Sequence, residues 1–245
     1  MSVADPPSAR WNREVDVWFA DLLPDRLAER EAWNLVSADE QVRARRLKRE
    51  RDRVVSVRTR AMLRQVLAGY LGVGADEVNI GAGPGGKPEV VEPDGAGWPR
   101  FNVSHSGSVA LIAVTGRTEV GVDVERVRAD IAWPDVAHAF FSPAEVAAIE
   151  RVAQAHRRRA FFECWVRKEA YVKGLGTGLR RATDDFEVPV GGAGGVVLDS
   201  ARGTAAPTPT WYVHGLDVGR GYVAAVAVDG NLKVRIRRRW SADCR

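Results

Sequence analysis

The stretch GSVALIAVTG, residues 107–116, decides the fold class, because it is an apolar strand that the chain nearly repeats close to its other end. Residues 221–230 read GYVAAVAVDG and match it at six of ten positions without a gap. Small apolar strands resemble one another by chance, so the match is weak by itself. It predicts two related α+β halves that each close on a similar strand, with a boundary near Arg117.

The sequence around these two strands predicts further strands and helices. EVDVWFA, residues 14–20, alternates as a strand does. Apolar residues then recur at helical spacing from Arg26 to about Leu71, where Gly72 ends the pattern. The other predicted elements are strands at 101–104, 109–114 and 120–125, helices at 142–152 and 159–173, and later strands separated by loops at 191–195 and 203–209.

The composition is that of a globular protein, since 45% of the 245 residues are apolar and 28% are charged. The length fits one large domain or two domains of about 100–150 residues. Cys164 and Cys244 have no CxxC partner, which argues against a disulfide framework or a cysteine metal site. The N-terminus lacks an apolar signal segment, and no apolar run reaches the roughly 20 residues of a membrane span. We therefore expect a cytoplasmic protein that does not bind membranes.

Positive charge is concentrated in one segment, although the net charge of the chain is only +4. Between Glu40 and Arg64 there are ten basic residues against three acidic ones. Such a segment suits phosphate or an acidic protein partner, and a solvated helix face is the alternative. Nucleic acid has little support, because no aromatic stacking run or nucleic-acid-binding motif accompanies the arginines.

The motif GVDVE, residues 121–125, predicts a metal site. On a strand Asp123 and Glu125 project to the same face, and Val122 and Val124 face the core. Like charges on one face are unfavourable without a cation or a basic partner, so the two carboxylates suit a hard cation. The alternative is an exposed strand whose acids are simply solvated.

FFECWVRKEAYVK, residues 161–173, is an apolar helical stripe with an acid and a lysine at its margin. Glu169 and Lys173 stand four residues apart, which by itself indicates only a helix-stabilising pair. FNVSHS, residues 101–106, crowds polar side chains at a strand end, where ligands are often held. A serine hydrolase is not indicated, because the GxSxG elbow is absent and adjacent serine and histidine residues on a strand point to opposite faces.

GAGPGGK, residues 81–87, fits the spacing of a phosphate-binding loop but does not predict one. The next residue should be Ser or Thr to reach magnesium, and here it is Pro88, which also lacks a backbone N–H. The sequence therefore argues against an ATPase.

Taken together and in this order, a set of motifs resembles the 4'-phosphopantetheinyl transferases, in particular their surfactin-type branch. The motifs are GKP (86–88), NVSHS (102–106), GVDVE (121–125), FFSPAE (140–145), WVRKEAYVKGLGTGL (165–179) and the arginine-rich helix at Arg51–Arg64. Each is modest alone, but the ordered set is specific and extends from about Ser37 to Val228. The resemblance implies an α+β pseudodimer of two similar subdomains, here residues 1–117 and 118–245, and a monomer is expected because one chain supplies both.

The resemblance also implies an activity. These enzymes transfer the phosphopantetheine arm of coenzyme A to a serine of an acidic apo carrier protein, with Mg²⁺ (or Mn²⁺), and release adenosine 3',5'-bisphosphate. By resemblance the metal ligands are Asp123, Glu125 and Glu169. Glu169 is the general base, directly or through a metal-bound water, and Asp123 and Lys173 are further catalytic residues. The alternative is a protein that binds coenzyme A or a carrier protein but has lost catalysis.

The resemblance assigns the remaining site residues to coenzyme A. Ser104 and His105 match residues near the phosphates, whereas Gly86, Lys87 and Pro88 match the adenine side. Lys173 would contact the pyrophosphate, and Lys168 lies close enough in sequence to assist it. Arg43 and Arg60 fall in the region that supplies basic phosphate ligands. Two positions depart from the pattern: Glu89 stands where many relatives have an aromatic residue, and Glu40 stands where a relative has lysine. Ser142 matches a position near the carrier interface, and Glu145 a further carboxylate of open role.

Overall fold

A computed structural model of the protein describes residues 14–22, 26–91, 99–177, 181–199 and 210–238. The N-terminal segment, the loop predicted at 203–209, the last residues of the GLGTGL motif and Cys244 lie outside these ranges. In the described ranges no helix combines the length and the apolar character that crossing a membrane requires.

The predicted α+β class is confirmed, and the helices and strands follow one another in two successive groups. The first group is β1 (Glu14–Asp21), α1 (Arg26–Leu35), α2 (Ala38–Arg45), α3 (Glu50–Leu71), β2 (Ile80–Ala82), β3 (Pro88–Val90), β4 (Arg100–Ser106) and β5 (Val109–Thr115). The second is β6 (Val120–Arg126), α4 (Trp133–Phe140), α5 (Pro143–Arg151), α6 (Gln154–Leu175), β7 (Phe186–Glu187), β8 (Gly194–Val196), β9 (Leu198–Asp199), β10 (Trp211–Leu216), β11 (Tyr222–Asp229) and β12 (Lys233–Arg238).

The two repeated apolar strands are central strands of two different sheets. β5 lies in the sheet β12-β1-β5-β4, and β11 lies in the sheet β6-β11-β10-β8. Every residue of β5 is buried, because helix packs on one face of this sheet and the other sheet on the other. A continuous apolar run is the pattern that such a doubly covered strand needs.

One strand crosses from the second group of elements into the first sheet. β12 pairs in parallel with β1, with Ile236 opposite Val17. Apart from β12, the strands of the first sheet precede residue 117 and the strands of the second sheet follow residue 118. β12 covers the edge of β1, which would otherwise present unpaired backbone groups.

The packing forms four layers: α3, the first sheet, the second sheet and α6. Leu63 and Leu67 of α3 pack on Ile112 of the first sheet, and Tyr171 of α6 packs on Trp211 of the second. Leu111 and Val226 belong to the core between the sheets. Burial of each large apolar side chain contributes about 1.5–3 kcal/mol, so these interfaces fix α3 and α6 against the strands between them.

Candidate active site

The strands β4 and β6 are edge strands of the two sheets and are joined by side chains instead of a backbone ladder. The Asn102 side-chain oxygen accepts from the backbone N–H of Val122 at 2.9 Å, and the Ser106 hydroxyl accepts from that of Arg126 at 3.1 Å. Asn102, Ser104 and Ser106 alternate along β4, so their side chains share one face. The crowded polar residues of the NVSHS motif thus satisfy groups of the facing edge strand.

The same face of β4 orients both carboxylates of the GVDVE motif. The Ser104 hydroxyl donates to Asp123 Oδ1 at 2.7 Å, and the Ser106 hydroxyl donates to Glu125 Oε2 at 2.7 Å. Asp123 is buried, whereas Glu125 is half-buried. Each of the two acids therefore accepts a hydrogen bond from a hydroxyl of β4, so they are not simply solvated.

Helix α6 contributes Lys173 to the same cluster of side chains. Its ammonium donates to Asp123 Oδ1 at 2.6 Å and to Ser104 Oγ at 3.0 Å. The other oxygen of Asp123, Oδ2, is buried and accepts no hydrogen bond from the described part of the chain. An ammonium has three donors, so these contacts leave Lys173 one donor for a ligand. Asp123 likewise keeps one oxygen for a ligand.

The negative charges at this junction are not fully compensated by the protein. Burial raises the pKa of Glu169 on α6, and the negative charge of Asp123 raises it further. Burial also raises the pKa of Glu125, partly offset by its hydrogen bond from Ser106. Carboxylates whose pKa is raised by burial and by each other gain most from an added cation.

The donor chemistry of this acidic set fits Mg²⁺ or Mn²⁺ held together with a phosphate. Among the residues that the structure describes, no three His, Cys, Asp or Glu side chains converge into a metal site of their own. Mg²⁺ usually takes only one or two protein carboxylates and completes its shell with substrate phosphates and water. The unpartnered Oδ2 of Asp123, with Glu125 and Glu169 nearby, offers such oxygen ligands.

Positive charge borders the acidic set on the other side. His105 of β4 is exposed, and its pKa is lowered by partial desolvation and by the positive charges of Lys173 and Arg60. Burial lowers the pKa of Arg60. The charge of Glu40 opposes this shift, and the charge of Arg43 adds to it. Lys173, Arg60 and Arg43 thus form a positive region contributed by α6, α3 and α2, and His105 of β4 lies beside it. A polyanion is the ligand that such a region favours.

The departure at Glu40 does not remove this positive charge. Glu40 pairs with Arg64 at 3.0 Å, and both side chains are buried. Although burial opposes it, hydrogen bonding by Ser37 and the charge of Arg64 lower the pKa of Glu40. The carboxylate is thus paired within the fold by Arg64, and its remaining charge acts on Arg60.

The structure does not bring Lys168 to this cluster. Its ammonium contacts Glu145 Oε2 at 2.7 Å and the carbonyls of Thr183 and Phe186 at 2.6 and 2.7 Å. These contacts use all three of its donors. The Lys168 side chain is buried on the face of α6 that points away from Asp123 and Glu125. This placement does not agree with the expected contact between Lys168 and coenzyme A.

The GKP motif lies in a hairpin loop beside the end of α6. A short 3₁₀ turn at Pro84–Gly86 joins β2 to β3, so no helix follows the glycine-rich stretch as it would in a phosphate-binding loop. Gly86 is exposed, and Pro88 begins β3. Lys87 is turned toward the protein, with its side chain 8% exposed. Glu89 pairs with Arg100 at 3.0 Å, which fits its departure from an aromatic adenine contact.

Three further positions have roles that the motifs did not indicate. Ser142 and Glu145 form the capping box of α5 and are buried, so neither presents its side chain at a surface. A Cβ at Gly121 would overlap the Ala170 carbonyl of α6, and this close approach brings β6 and α6 together. Only the spacing SPAE, typical of a capping box, could have been read from the sequence.

Sequence models of one family match both groups of elements. The sequence model described as the 4'-phosphopantetheinyl transferase superfamily matches residues 119–227, and the model described as 4'-phosphopantetheinyl transferase, N-terminal, matches residues 24–117. The chain is 30% identical over 217 residues to the 4'-phosphopantetheinyl transferase HetI of Nostoc sp., covering 89% of this chain and 88% of the relative.

Other relatives match shorter stretches. A putative 4'-phosphopantetheinyl transferase of Synechocystis sp. is 34% identical over 145 residues, which are 59% of this chain and 58% of the relative. A 4'-phosphopantetheinyl transferase of Bacillus subtilis is 28% identical over 169 residues, which are 69% and 72% of the two chains. With matches that extend over both groups of elements, the chain belongs to the 4'-phosphopantetheinyl transferase family of enzymes.

Proposed function

We propose that this protein transfers 4'-phosphopantetheine from coenzyme A to a serine of an apo carrier protein and releases adenosine 3',5'-bisphosphate. The observation that carries the proposal is the junction of β4, β6 and α6, where the acidic set of Asp123, Glu125 and Glu169 adjoins Lys173. We place the protein in the surfactin-type branch on its ordered motifs.

Coenzyme A would bind through its phosphates at the positive region. Lys173 keeps one ammonium donor for the pyrophosphate, and the contacts with Asp123 and Ser104 fix the position of the ammonium. His105, Arg60 and Arg43 lie where the remaining phosphate charge can be compensated. Ser104 would act through Lys173 and Asp123, because its hydroxyl already contacts both.

Asp123, Glu125 and Glu169 would hold Mg²⁺ or Mn²⁺ jointly with the pyrophosphate. The ion supplies charge neutralisation for attack at phosphorus, which is the main requirement of phosphoryl transfer. Ser104 and Ser106 keep the two carboxylates of β6 turned toward the ligand side. The protein thereby provides oriented oxygen ligands before the substrate arrives.

Glu169 is the proposed general base. The serine oxygen of the carrier forms a bond to the β-phosphorus, the bond from that phosphorus to the bridging oxygen breaks, and adenosine 3',5'-bisphosphate leaves. The serine proton passes to the carboxylate of Glu169, which α6 places beside Asp123 and Lys173. Lys173 compensates the negative charge that develops on the leaving oxygen.

The carrier partner would be a small acidic protein that the basic residues attract. The excess of positive charge between Glu40 and Arg64 is partly used internally, because Arg64 pairs with Glu40 and Arg58 donates to the Leu22 carbonyl. Arg45, Arg46, Lys48, Arg49 and Arg51 remain exposed. Exposed basic residues of this kind raise the association rate with an acidic partner and lose their effect at high salt.

We further propose that the two groups of elements are structural repeats of one subdomain, as a pseudodimer. Each has a capping box on a short helix, Ser37 with Glu40 and Ser142 with Glu145. In each, the capping glutamate forms a buried ion pair with the following long helix, at Arg64 or Lys168. Both long helices have 22 residues and end at a left-handed glycine, Gly72 or Gly176.

The function is tested by intact-mass spectrometry of apo carrier proteins incubated with the protein, coenzyme A and Mg²⁺. We expect the carrier to gain the mass of one phosphopantetheine arm and expect EDTA to abolish the gain. Carriers of the acyl and peptidyl types are both included, so that one unsuitable partner does not decide the result. The absence of any gain, with coenzyme A still bound, would identify a binding protein that has lost catalysis.

The role of Glu169 is tested by comparing Glu169→Gln with Glu163→Gln. Glu163 lies on the same helix and pairs with Arg159, so it controls for the loss of a glutamate charge from α6. We expect Glu169→Gln to reduce transfer by about 100-fold or more while coenzyme A stays bound, and Glu163→Gln to remain near wild type. Undiminished transfer by Glu169→Gln would remove this residue from the mechanism.

A further inference from the structure

Lys87 of the GKP motif has no ammonium donor left for a ligand. Its three contacts are Glu119 Oε2 at 2.7 Å, the Val120 carbonyl at 3.0 Å and the Gly174 carbonyl at 2.9 Å. A lysine ammonium has three donors, and these contacts use all of them. A new bond from the Lys87 ammonium to coenzyme A would therefore require one of these partly buried contacts to break.

The Gly174 contact lies at the C-terminal end of α6. The last four carbonyls of an α-helix have no partner within the helix and carry its partial negative charge. The Lys173 carbonyl accepts from the backbone N–H of Gly176, and the Gly174 carbonyl accepts from Lys87. Lys87 thus caps the helix with a full positive charge from a loop 87 residues away in sequence.

Glycines hold the same helix end tightly. A Cβ at Gly85 would overlap the Gly176 carbonyl, and a Cβ at Gly121 would overlap the Ala170 carbonyl. The loop of Lys87 and the start of β6 therefore touch the backbone of α6 directly. Close backbone contact of this kind leaves the end of α6 little freedom to shift while Lys87 stays in place.

Charged residues connect this contact to the first sheet. Glu119 accepts from Lys87 and also pairs with Arg100 of β4 at 3.3 Å, and Arg100 pairs with Glu89 of β3 at 3.0 Å. The chain Glu89, Arg100, Glu119 and Lys87 joins β3 and β4 to the segment before β6 and to α6. The hairpin β2–β3 is thereby fixed relative to the helix that bears Glu169 and Lys173.

We propose that Lys87 is a positioning residue whose side chain holds the last turn of α6, and with it Lys173 and Glu169, in register with Asp123, and that its ammonium does not bind coenzyme A. The catalytic part of this proposal rests on the proposed transferase function. Its structural part, the fixing of the helix end, does not.

Adenosine 3',5'-bisphosphate separates the two possible roles of Lys87. This product contains the 3'-phosphate and the adenine, and the family pattern would assign the GKP motif to the adenine side. It lacks the β-phosphate, which is the reacting centre. If Lys87 positions α6, its loss should slow transfer and leave affinity for this ligand unchanged. If the Lys87 ammonium contacts the adenine side of coenzyme A, affinity for this ligand must fall.

The experiment compares Lys87→Met with Lys233→Met, which removes an exposed lysine from β12. For Lys87→Met we expect transfer at saturating coenzyme A to fall by about 10- to 100-fold, because a small shift of α6 misplaces both reacting side chains. We expect the affinity for adenosine 3',5'-bisphosphate, measured by calorimetry, to stay at the wild-type value. Amide hydrogen exchange should become faster at residues 170–176, and Lys233→Met should match wild type in all three measurements.

Each measurement can overturn the proposal. A loss of about ten-fold in affinity for adenosine 3',5'-bisphosphate would make Lys87 a direct ligand, whatever happens to transfer. Unchanged amide exchange at residues 170–176 in Lys87→Met would show that Lys87 does not fix the helix end. This outcome is independent of transfer: a wild-type protein that transfers nothing would count against the proposed function instead. If Lys87→Met does not fold, Glu119→Gln weakens one of the three contacts and must show the same pattern at smaller amplitude.

Discussion

Lys168 Nζ lies 2.7 Å from Glu145 Oε2, and both side chains are only 2% exposed. The Lys168 ammonium also lies 4.4 Å from the centre of the Phe186 ring. Glu145 in turn accepts from the backbone N–H groups of Ser142 and Val188. This buried pair therefore ties α5 and the segment after α6 to the long helix, five residues before the proposed phosphate contact at Lys173.

The pair predicts that Lys168 is a stability residue. Lys168→Met would leave the Glu145 carboxylate buried without its cation, and breaking a buried pair in this way costs about 3–5 kcal/mol. We expect urea denaturation to show this loss in the free energy of unfolding. Coenzyme A affinity below the transition should remain that of wild type. A variant of wild-type stability that binds coenzyme A more weakly would restore Lys168 to the phosphate site.

A second prediction concerns the hydroxyl of Ser106. Ser106→Ala removes both its bond to Glu125 and its acceptor for the Arg126 backbone N–H. We expect a loss of stability of about 1 kcal/mol and a higher Mg²⁺ concentration for half-maximal transfer, because Glu125 is no longer oriented.

Mn²⁺ binding, followed by electron paramagnetic resonance in the presence of coenzyme A, checks the orientation of Glu125 by Ser106 without relying on turnover. Ser56→Ala, a substitution on α3, is the control and should leave both quantities unchanged. Equal metal requirements for Ser106→Ala and wild type would show that the hydroxyl does not orient a ligand.

A third prediction follows from the lowered pKa of His105. Partial desolvation and the charges of Lys173 and Arg60 keep the free protein's imidazole neutral at a pH near the ordinary histidine value of about 6.5. A bound phosphate adds negative charge and raises that pKa, so coenzyme A binding should take up a fraction of a proton between the two pKa values. Coenzyme A affinity should therefore rise as the pH falls into that range.

Calorimetry in buffers of different ionisation enthalpy measures this uptake, with His105→Gln as the control. Coenzyme A phosphates titrate in the same range but contribute to both proteins, so the difference between them isolates His105. Identical proton uptake by wild type and His105→Gln would mean that no phosphate binds at His105.

Local pattern was enough to predict much of the fold and to place Asp123 and Glu125 on one face of a strand. β5 is a continuous apolar run and β6 alternates, so their burial and the shared face of Asp123 and Glu125 follow from strand geometry. The ordered motifs supplied the family. None of these inferences required knowing which distant segments meet.

The placement of Lys168 and the reassignment proposed for Lys87 depend on contacts that a linear pattern does not contain. Lys168 and Glu169 are adjacent, yet successive helix residues point about 100° apart, so one faces Glu145 and the other faces β6. Lys87 reaches Gly174, and β12 returns to β1, across long separations in sequence. Only tertiary packing decides such pairings.

The last prediction uses two glycines to test the close approach of β6 and α6. A Cβ at Gly121 would overlap backbone atoms of Ala170 and Gly174, which cannot rotate away. We expect Gly121→Ala to cost about 3 kcal/mol in the free energy of unfolding, because α6 must move away from β6. That movement would also displace Lys173 from Asp123, so transfer by the folded fraction should fall by about 100-fold.

Gly69→Ala is the matched control for this substitution. Gly69 lies within α3, and a Cβ there meets nothing within 4 Å. Alanine in an open helical position reduces the entropy of the unfolded chain, so this variant should gain about 0.5–1 kcal/mol and keep full activity. Urea denaturation of both variants measures the contrast. If Gly121→Ala unfolded at the same urea concentration as Gly69→Ala, β6 and α6 would not be in direct backbone contact, and the register of Lys173 with Asp123 would need another cause.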